Sequence, residues 1–163
     1  MNSIWFDMDG TIAELYKVKD WLPALRSNDW SVYDRCLPRA HFERINTAIE
    51  ALVENGWQVG VITWASKGLD FGGELNAISD IKFEWLCRFF PALADGKFAC
   101  IPYGYDKAQF MTTEMHNNHN PYDISYLVDD NKEVRAAWRK HGENFKTIDA
   151  SRSFHRAIEG LVL

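Results

Sequence analysis

Four aspartates in two pairs are the residues of this sequence whose types and spacing best suit chemistry. Asp7 and Asp9 follow the apolar run 4–6 with one residue between them, and Asp129 and Asp130 directly follow another apolar run. Two acids this close share a site when a cation is present or when one stays protonated, because like charges raise one pKa. A carboxylate can attack phosphorus to form an aspartyl phosphate, while a second acid moves protons. The pairs therefore indicate phosphate chemistry at a cation site.

The cation that suits these acids best is Mg²⁺, which prefers hard oxygen ligands and takes one or two carboxylates from the protein. Asp7 and Asp129 fit that task. Asp130 is either a further ligand or a residue that holds the ligands in place, and we expect it also to cap the helix over residues 131–141. Gly10 permits a tight turn that would aim Asp7 and Asp9, or one carboxylate and a backbone carbonyl, into one crevice. Asp-x-Asp-Gly is also an ordinary turn sequence.

Two further residues stand where they can bind a phosphoryl group. Thr63 ends an apolar run, and its hydroxyl and the following N–H groups can bind a phosphoryl oxygen. Lys107 starts a helix that Asp106 caps, where the ammonium and the free helix N–H groups can together neutralise a phosphate. Each has a structural alternative, namely a strand-end threonine and a solvated lysine. Their order along the chain, after predicted core strands, favours a common site.

The elements that must position these residues alternate between short apolar strands and amphipathic helices. Such alternation predicts an α/β fold, a Rossmann-like three-layer sandwich whose central parallel sheet is covered on both faces. Active sites in such sheets lie at the carboxyl ends of the strands. The predicted strands are 4–6, 57–63, 97–101, 124–129 and 144–148.

Capping residues, glycines and prolines predict where the helices begin and end. The helix with apolar positions between Phe42 and Val53 is the clearest of them. The predicted starts follow Asp106 and Ser151, and the predicted ends lie at Asn55-Gly56, Pro91 and His141-Gly142.

One long stretch, residues 12–40, shows no regular pattern. It is too short for a second domain, so we expect a single domain over residues 1–163 in which 12–40 forms a small flap beside the site. The alternative is that its aromatic residues pack onto the main core. Two roles are open for Trp64 as well: it stacks on a substrate base or sugar, or it packs in the core. Substrate selectivity should lie in the flap and in the 64–77 loop.

Composition restricts the partners. The net charge of −5 disfavours broad attraction to nucleic acid or anionic membranes, so any phosphate site must be local. The three cysteines form no Cys-x-x-Cys pair, which favours a reducing, cytoplasmic location. The sequence shows no signal peptide and no apolar run long enough to span a membrane. His116 and His119 have helical spacing, although a polar loop fits the surrounding asparagines better than a metal site.

The order of these motifs resembles the haloacid dehalogenase superfamily of phosphohydrolases. Phe6-Asp7-Met8-Asp9-Gly10-Thr11 looks like its first motif, Val61-Ile62-Thr63 like the second, Lys107 like the third, and Leu127-Val128-Asp129-Asp130-Asn131 like the fourth in its paired-aspartate form.

The resemblance implies an Asp7 phosphoenzyme, Asp9 as general acid/base that also lends its main-chain carbonyl to Mg²⁺, and Asp129 as a metal ligand. An aspartate at position 9 points to phosphate esters rather than dehalogenation. The spaced Gly-Asp-x-x-x-Asp form of the fourth motif is missing, which leaves the role of Asp130 open. The short stretch between Thr11 and Trp57 indicates a capless or minimally capped member, with some likeness to 5′-nucleotidases.

We therefore expect a Mg²⁺-dependent phosphatase, a phosphomonoester hydrolase acting on a small phosphorylated metabolite or nucleotide. A phosphatase for polynucleotide ends and a non-catalytic phosphate-binding regulatory module are the alternatives, and the sequence leaves the oligomeric state open. The predicted catalytic residues are Asp7, Asp9, Thr63 and Lys107, the predicted substrate-binding residues are Gly10, Thr11 and Trp64, and the predicted metal ligands are Asp7, Asp9, Asp129 and Asp130.

Overall fold

The computed structural model of the chain describes residues 1–117 and 119–162. These residues form a five-stranded, all-parallel sheet with the strand order β3-β2-β1-β4-β5, which confirms the predicted α/β fold. Each strand lies within one or two residues of its predicted place. The strands are β1 (Ser3–Phe6), β2 (Gln58–Trp64), β3 (Lys97–Ile101), β4 (Ser125–Asp129) and β5 (Phe145–Asp149).

Alternation along β1 divides the core into two layers, because successive strand residues point to opposite faces of a sheet. Ile4 and Phe6 are fully buried in one cluster, whereas Trp5 is fully buried in another. Trp5 fits because the neighbouring strand carries Gly60, where an added Cβ would lie 2.5 Å from the indole ring. Its Nε1 donates to Ser3 Oγ at 3.1 Å, which satisfies the buried indole.

Helices cover both faces of the sheet. α3, α4, α5 and α8 pack on the side of Ile4 and Phe6, and α6 and α7 pack on the side of Trp5. The helices are α1 (Trp21–Arg26), α2 (Val32–Arg35), α3 (Phe42–Glu54), α4 (Gly73–Phe89), α5 (Pro91–Ala94), α6 (Lys107–Thr113), α7 (Lys132–Arg139) and α8 (His155–Glu159).

Most predicted helix boundaries are confirmed. α3 ends at the Asn55 cap, and Asp106 caps α6. Pro91 follows the end of α4, as predicted, and also starts the short helix α5, because a helix tolerates proline at its first position. The prediction that Ser151 caps the last helix is wrong, since α8 begins at His155. The N–H and hydroxyl of Ser151 both donate to Asp149 Oδ1, at 2.9 and 2.7 Å, and so form a local turn.

The segment 12–40 contains a 3-10 turn at Leu15–Lys17 together with α1 and α2, and it packs beside the carboxyl end of the sheet. Its aromatic residues divide between the two expectations. Tyr33 is buried, whereas Tyr16 keeps 51% of its surface exposed. Arg39 ties the end of the segment to the turn after β1, because its guanidinium donates to the carbonyls of Gly10 and Thr11 at 3.2 and 3.3 Å.

Two smaller predictions concern a loop and the membrane. His116 Nε2 lies 3.1 Å from the Tyr122 hydroxyl and 3.4 Å from Lys97 Nζ, in agreement with a polar loop. Asn118, which falls within the loop predicted from the sequence, lies outside the described residues. Among residues 1–117 and 119–162, we find no helix that combines the length and apolar character needed to cross a bilayer.

Candidate active site

The two acidic pairs meet at the carboxyl end of the sheet, where β1 and β4 lie side by side. Phe6 pairs with Val128 in the register of these strands, and the Asp7 N–H donates to the Val128 carbonyl at 2.9 Å. The chain reaches β4 only after β2 and β3 have been placed on the other side of β1. Parallel sheets bind ligands at such points of strand-order reversal. Asp7 and Asp129 are therefore neighbours at the place where this fold provides a crevice.

The turn after β1 is built around the Met8 carbonyl, which accepts the N–H groups of residues 11–13 at 2.9 to 3.0 Å. The Met8 side chain points into the core, which leaves the two acids that flank it to face the cavity. Gly10 has a φ of +79°, and a Cβ at this position would lie 2.5 Å from Asp130 Oδ2. The turn needs glycine both for its backbone conformation and for the close approach of Asp130.

Lys107 bridges the two acids of neighbouring strands. Its Nζ donates to Asp7 Oδ1 and to Asp129 Oδ2, both at 2.7 Å, and the side chain is almost completely buried. Burial favours the neutral amine, but the charges of Asp7 and Asp129 outweigh it and raise the pKa of Lys107. The site therefore holds a fixed ammonium between two carboxylates.

The helix that carries Lys107 departs from one expectation. The Asp106 carboxylate accepts the N–H groups of Ala108 and Gln109 at 2.9 and 3.0 Å. These donors were expected to bind phosphate and are instead satisfied by the cap. That part of the prediction is wrong, and the ammonium is the group of this helix that reaches the acids.

Asp7, Asp129 and Asp130 form a cluster that fits a metal ion, because each offers a carboxylate oxygen and these atoms lie within 4.8 Å of one another. Burial raises the pKa of Asp129 to about 6, against the opposing charge of Lys107. Burial also raises the pKa of Asp130 to about 7, and the charges of Asp7 and Asp129 add to this shift. The single ammonium does not balance three carboxylates, so an oxygen-seeking dication suits this donor set.

The prediction that Asp130 also caps the following helix is wrong. Asn131 caps α7, since its side-chain oxygen accepts the N–H groups of Glu133 and Val134 at 2.9 and 3.2 Å. Because the cap lies one residue later in the chain, the Asp130 carboxylate remains beside the other acids. Thr11 Oγ1 accepts the Asp130 N–H at 3.2 Å and fixes the backbone there.

A second buried lysine, Lys82 in the middle of α4, holds Asp9. Its Nζ donates to Asp9 Oδ2 at 2.7 Å, to Thr63 Oγ1 at 3.0 Å and to the Trp64 carbonyl at 2.8 Å. The ammonium also lies 4.5 Å from the centre of the Tyr33 ring. Burial raises the pKa of Asp9, against the opposing charge of Lys82. Lys82 is not among the site residues predicted from the sequence.

The predicted threonines lie deeper than expected. Thr11 and Thr63 are fully buried, and their hydroxyls accept the Asp130 N–H and the Lys82 ammonium. Trp64 borders the site, with its Nε1 donating to the Tyr105 carbonyl at 2.9 Å. Thr63 therefore contacts the lysine that holds Asp9, and Trp64 has an indole fixed in place.

The cavity over the acids has a volume of about 540 Å³. Such a volume falls in the range of small-molecule sites, about 300–1,000 Å³. Six aromatic side chains line it, and four of them belong to the segment 12–40. Of these four, two are tryptophans, one is a buried tyrosine and one is the half-exposed Tyr16. The predicted site residues that line it are Asp7, Asp9, Trp64, Lys107, Asp129 and Asp130.

Comparison of the sequence gives no match to a protein-family model or to a curated protein. Comparison of the structure does give matches. A D,D-heptose 1,7-bisphosphate phosphatase from B. bronchiseptica, solved with magnesium and phosphate, has a TM-score of 0.59 and 15% identity, and the match covers 99% of both chains. The enzyme of the same name from Burkholderia thailandensis has a TM-score of 0.51 and 18% identity over 96% of this chain and 97% of that one.

A third solved structure, a haloacid dehalogenase-like hydrolase from Burkholderia xenovorans LB400, has a TM-score of 0.56 and 12% identity, with 99% of this chain and 97% of that chain covered. The three matches span almost the whole of each chain, so the likeness extends to the overall architecture. The chain has the fold of the haloacid dehalogenase-like hydrolases, as the motifs predicted.

Proposed function

We propose that this chain is a Mg²⁺-dependent phosphatase that hydrolyses the phosphomonoester of a small metabolite or nucleotide. The observation that carries the proposal is the pair Asp7 and Asp129 at neighbouring strand ends, joined by one buried ammonium at 2.7 Å from each. A phosphoryl group needs a nucleophile, positive charge and a proton donor within one crevice. We further propose that residues 1–163 form one domain, with 12–40 as a flap beside the cavity.

In the first step, an oxygen of Asp7 attacks phosphorus while the bond from phosphorus to the leaving oxygen breaks. The product is an aspartyl phosphate, which divides one difficult hydrolysis into two displacements. Asp9 gives its proton to the leaving oxygen. Burial raises the pKa of Asp9 while the ion pair with Lys82 favours its carboxylate, so this side chain suits a group that alternates between the two protonation states of the cycle.

In the second step, Asp9 accepts a proton from water as the water oxygen attacks the phosphorus of the aspartyl phosphate. The bond between phosphorus and the Asp7 oxygen breaks, which releases inorganic phosphate and restores both acids. One residue thus serves as acid and then as base, an alternation that suits a carboxyl whose pKa lies above its ordinary value.

Asp7, Asp129 and Asp130 would hold the Mg²⁺ through carboxylate oxygens, together with the main-chain carbonyl of Asp9. When bound, the ion would neutralise the charge on the phosphoryl oxygens. The donor chemistry supports this assignment, because the three carboxylates cluster within 4.8 Å and carry more negative charge than Lys107 balances.

Lys107 binds the phosphoryl group directly in this proposal. A lysine ammonium has three N–H donors, and the contacts within the described part of the chain use two of them for Asp7 and Asp129. The third can reach a phosphoryl oxygen, since Lys107 lines the cavity. Lys107 would therefore stabilise the charge that develops in the transition state and fix the nucleophile at the same time.

Lys82 acts through Asp9, as a positioning residue. Its three named acceptors are Asp9, Thr63 and the Trp64 carbonyl, so its donors are used within the protein. This arrangement fixes the Asp9 side chain against β2 and keeps it beside the nucleophile. Thr63 contributes by holding Lys82, which gives the second motif a structural part in the site.

The test is release of inorganic phosphate from para-nitrophenyl phosphate and from a panel of small phosphomonoesters, with Mg²⁺ and with a chelator. Wild type should need Mg²⁺, and Asp7→Asn should lose at least about four orders of magnitude in kcat, as expected when a covalent nucleophile is removed. Asp80→Asn, an exposed carboxylate on α4, is the matched control and should retain full activity. Equal turnover by Asp7→Asn and wild type would rule out the proposed mechanism.

A further inference from the structure

Six aromatic rings line the cavity wall beyond the acids, together with aliphatic side chains such as Leu15, Leu22 and Leu25. Tyr16 and Trp21 pack edge to face with ring centres 5.0 Å apart, and Trp64 and Tyr103 have ring centres 4.8 Å apart. Both pairs line the same cavity, as do Trp30 and Tyr33. Aromatic faces in a concave site bind flat rings through offset or edge-to-face packing.

Among the aromatic side chains that line the cavity, the two with the most exposed surface belong to these pairs. Tyr16 is 51% exposed and Tyr103 is 47% exposed, although each has an aromatic neighbour to pack against. Both residues line the cavity, where a ligand would cover part of their exposed surface. Large apolar surface at the mouth of a pocket is characteristic of a binding site.

The aromatic wall begins directly beside the proposed phosphate position. The Trp64 ring centre lies 5.4 Å from Lys107 Nζ, and the hydrogen bond to the Tyr105 carbonyl fixes the indole. Tyr16, from the segment 12–40, packs against the turn after β1, because a Cβ added to Gly10 would lie 2.6 Å from Cε2 of Tyr16. A phosphate held by Lys107 therefore places its ester group among aromatic rings.

Polar side chains in the rest of the wall are mostly at the surface or already hydrogen-bonded within the protein, as Asn131 is through the cap of α7. Arg26, Asn28 and Lys67 line the cavity as exposed residues, and Lys67 Nζ already lies 4.9 Å from the centre of the Tyr103 ring. The Ser66 hydroxyl is within 2.7 Å of the Tyr33 hydroxyl, which satisfies it. A polyhydroxylated leaving group needs several fixed, buried hydrogen-bonding partners, and this wall offers ring faces instead.

We infer that the substrate, given the proposed phosphatase function on which this inference rests, is a phosphomonoester whose leaving group carries a planar aromatic ring. The ring packs against Tyr16, Trp64 and Tyr103 while the phosphate lies at Lys107 and Asp7. Two classes of compound share this chemistry, nucleoside monophosphates and arylalkyl phosphates.

The first measurement compares matched substrate pairs. Nucleoside 5′-monophosphates are compared with methyl riboside 5-phosphate, and benzyl phosphate with cyclohexylmethyl phosphate, which has a similar size but no planar ring. The planar partner should have a kcat/KM at least about tenfold higher, the magnitude expected for stacking on aromatic side chains. Preference within the nucleotide pair alone identifies nucleotides, and preference within the benzyl pair alone identifies arylalkyl phosphates. Equal values within both pairs overturn the inference.

Variants locate the preference in the proposed rings. Tyr16→Leu and Tyr103→Leu should each reduce the planar-to-nonplanar ratio of kcat/KM at least about threefold, since they keep apolar bulk and remove a ring face. Phe83→Leu is the matched control, because Phe83 is a half-exposed aromatic on α4 that packs on Phe98 and should leave the ratio as in wild type. A ratio that is unchanged in both tyrosine variants also contradicts the inference.

A binding experiment separates this inference from the proposed function. Quenching of tryptophan fluorescence by a nucleoside, compared with methyl riboside, reports on ring binding without hydrolysis, since three tryptophans line the cavity. Nucleoside binding that Tyr103→Leu weakens supports the inference even if para-nitrophenyl phosphate is not hydrolysed. Mg²⁺-dependent hydrolysis that needs Asp7 but shows no preference for rings would leave the function standing and overturn the inference.

Discussion

Two buried lysines meet the acids of this chain from opposite sides of β1. Lys107 starts α6 and joins Asp7 to Asp129, the acids at two strand ends. Lys82 lies in the middle of α4 and joins Asp9 to Thr63 and the backbone of β2. Both are almost fully buried and both ammoniums are stabilised by carboxylates, yet only Lys107 lines the cavity.

The difference separates two tasks. Lys107 borders the proposed position of the phosphoryl group, so it can interact with the charge that the proposed reaction creates. Lys82 has acceptors of its own within the protein, so its effect on a substrate must pass through Asp9. We expect Lys107 to act in the transition state and Lys82 to hold Asp9 in position. Variants of the two lysines should therefore differ both in which property they change and in how large the change is.

The largest effect is expected for Lys107→Met, which removes positive charge from the phosphoryl site. We expect kcat/KM to fall by about 10³-fold, the upper range for losing one preorganised charge-stabilising donor. Steady-state kinetics with para-nitrophenyl phosphate would measure it. An effect that appears only in KM, with kcat unchanged, would mean that Lys107 binds the ground state and the transition state equally.

The next largest effect is expected on folding, for Lys82→Met. Its removal leaves the buried side of Asp9 without a counter-charge and takes a donor from Thr63 and Trp64, which should cost about 3 kcal/mol in the free energy of unfolding. Urea unfolding of wild type, Lys82→Met and Lys82→Met/Asp9→Asn would measure it. Because the double variant removes both charges, it should recover part of the loss. Equal stability of wild type and Lys82→Met would show that the ion pair contributes nothing.

A smaller effect is expected on the reaction rate of Lys82→Met, whose kcat should fall by about 30-fold. A general acid contributes a factor of roughly 10²–10⁴ to the rate, and a misplaced one loses part of that factor. KM should change little, and Lys82→Arg should restore part of kcat. In an Asp9→Asn background, Lys82→Met should lower kcat by less than about threefold, since coupled residues do not act independently. Additive losses in that double-mutant cycle would argue that Lys82 affects the reaction by a route other than Asp9.

The smallest effect concerns how much Mg²⁺ stabilises the folded protein by binding at Asp129 and Asp130, the acids near Lys107. Asp129 and Asp130 have a pKa of about 6 and about 7 in the folded protein, above the ordinary 3.8, so folding binds protons there. Their contribution to stability is present below the unfolded pKa and is lost as the pH rises through about 6 to 7. At low pH, protons therefore compete with Mg²⁺ for these two carboxylates. At high pH, the bound metal would offset the repulsion between the ionised carboxylates.

We therefore expect Mg²⁺ to stabilise the protein by about 1 kcal/mol more at about pH 8 than at about pH 5.5. Melting temperatures with and without Mg²⁺ at the two pH values would measure this. Asp129→Asn should abolish most of the increment, whereas Lys82→Arg should keep it. An increment that does not depend on pH would contradict the assignment of these acids as ligands.

The comparison of the lysines also shows what the sequence could predict. Lys107 was identified because it follows a strand and begins a capped helix, and β1 and β4 were identified by apolar runs that end in aspartates. Such signals are local, and the parallel topology brings them together at one edge of the sheet.

Lys82 was missed because a lysine in the middle of a helix is ordinarily solvated. A signal was nevertheless present, since Lys82 lies four residues after Ile78 and three before Trp85, on the apolar face of α4. A charged residue at an apolar position calls for a buried partner, and that partner, Asp9, is distant in the sequence. The segment 12–40 was unpredictable for a related reason, because its short helices depend on packing against Ala65, Leu75 and Ile78.

The proposal depends most on covalent catalysis by Asp7. Acid quenching of a single turnover with a slowly hydrolysed phosphomonoester, followed by peptide mass spectrometry, would test it directly. We expect one phosphoryl group on the peptide that contains Asp7, formed at the rate of leaving-group release and absent from Asp7→Asn. A burst of leaving group without a phosphorylated Asp7, or a phosphoryl group on another residue, would contradict the account.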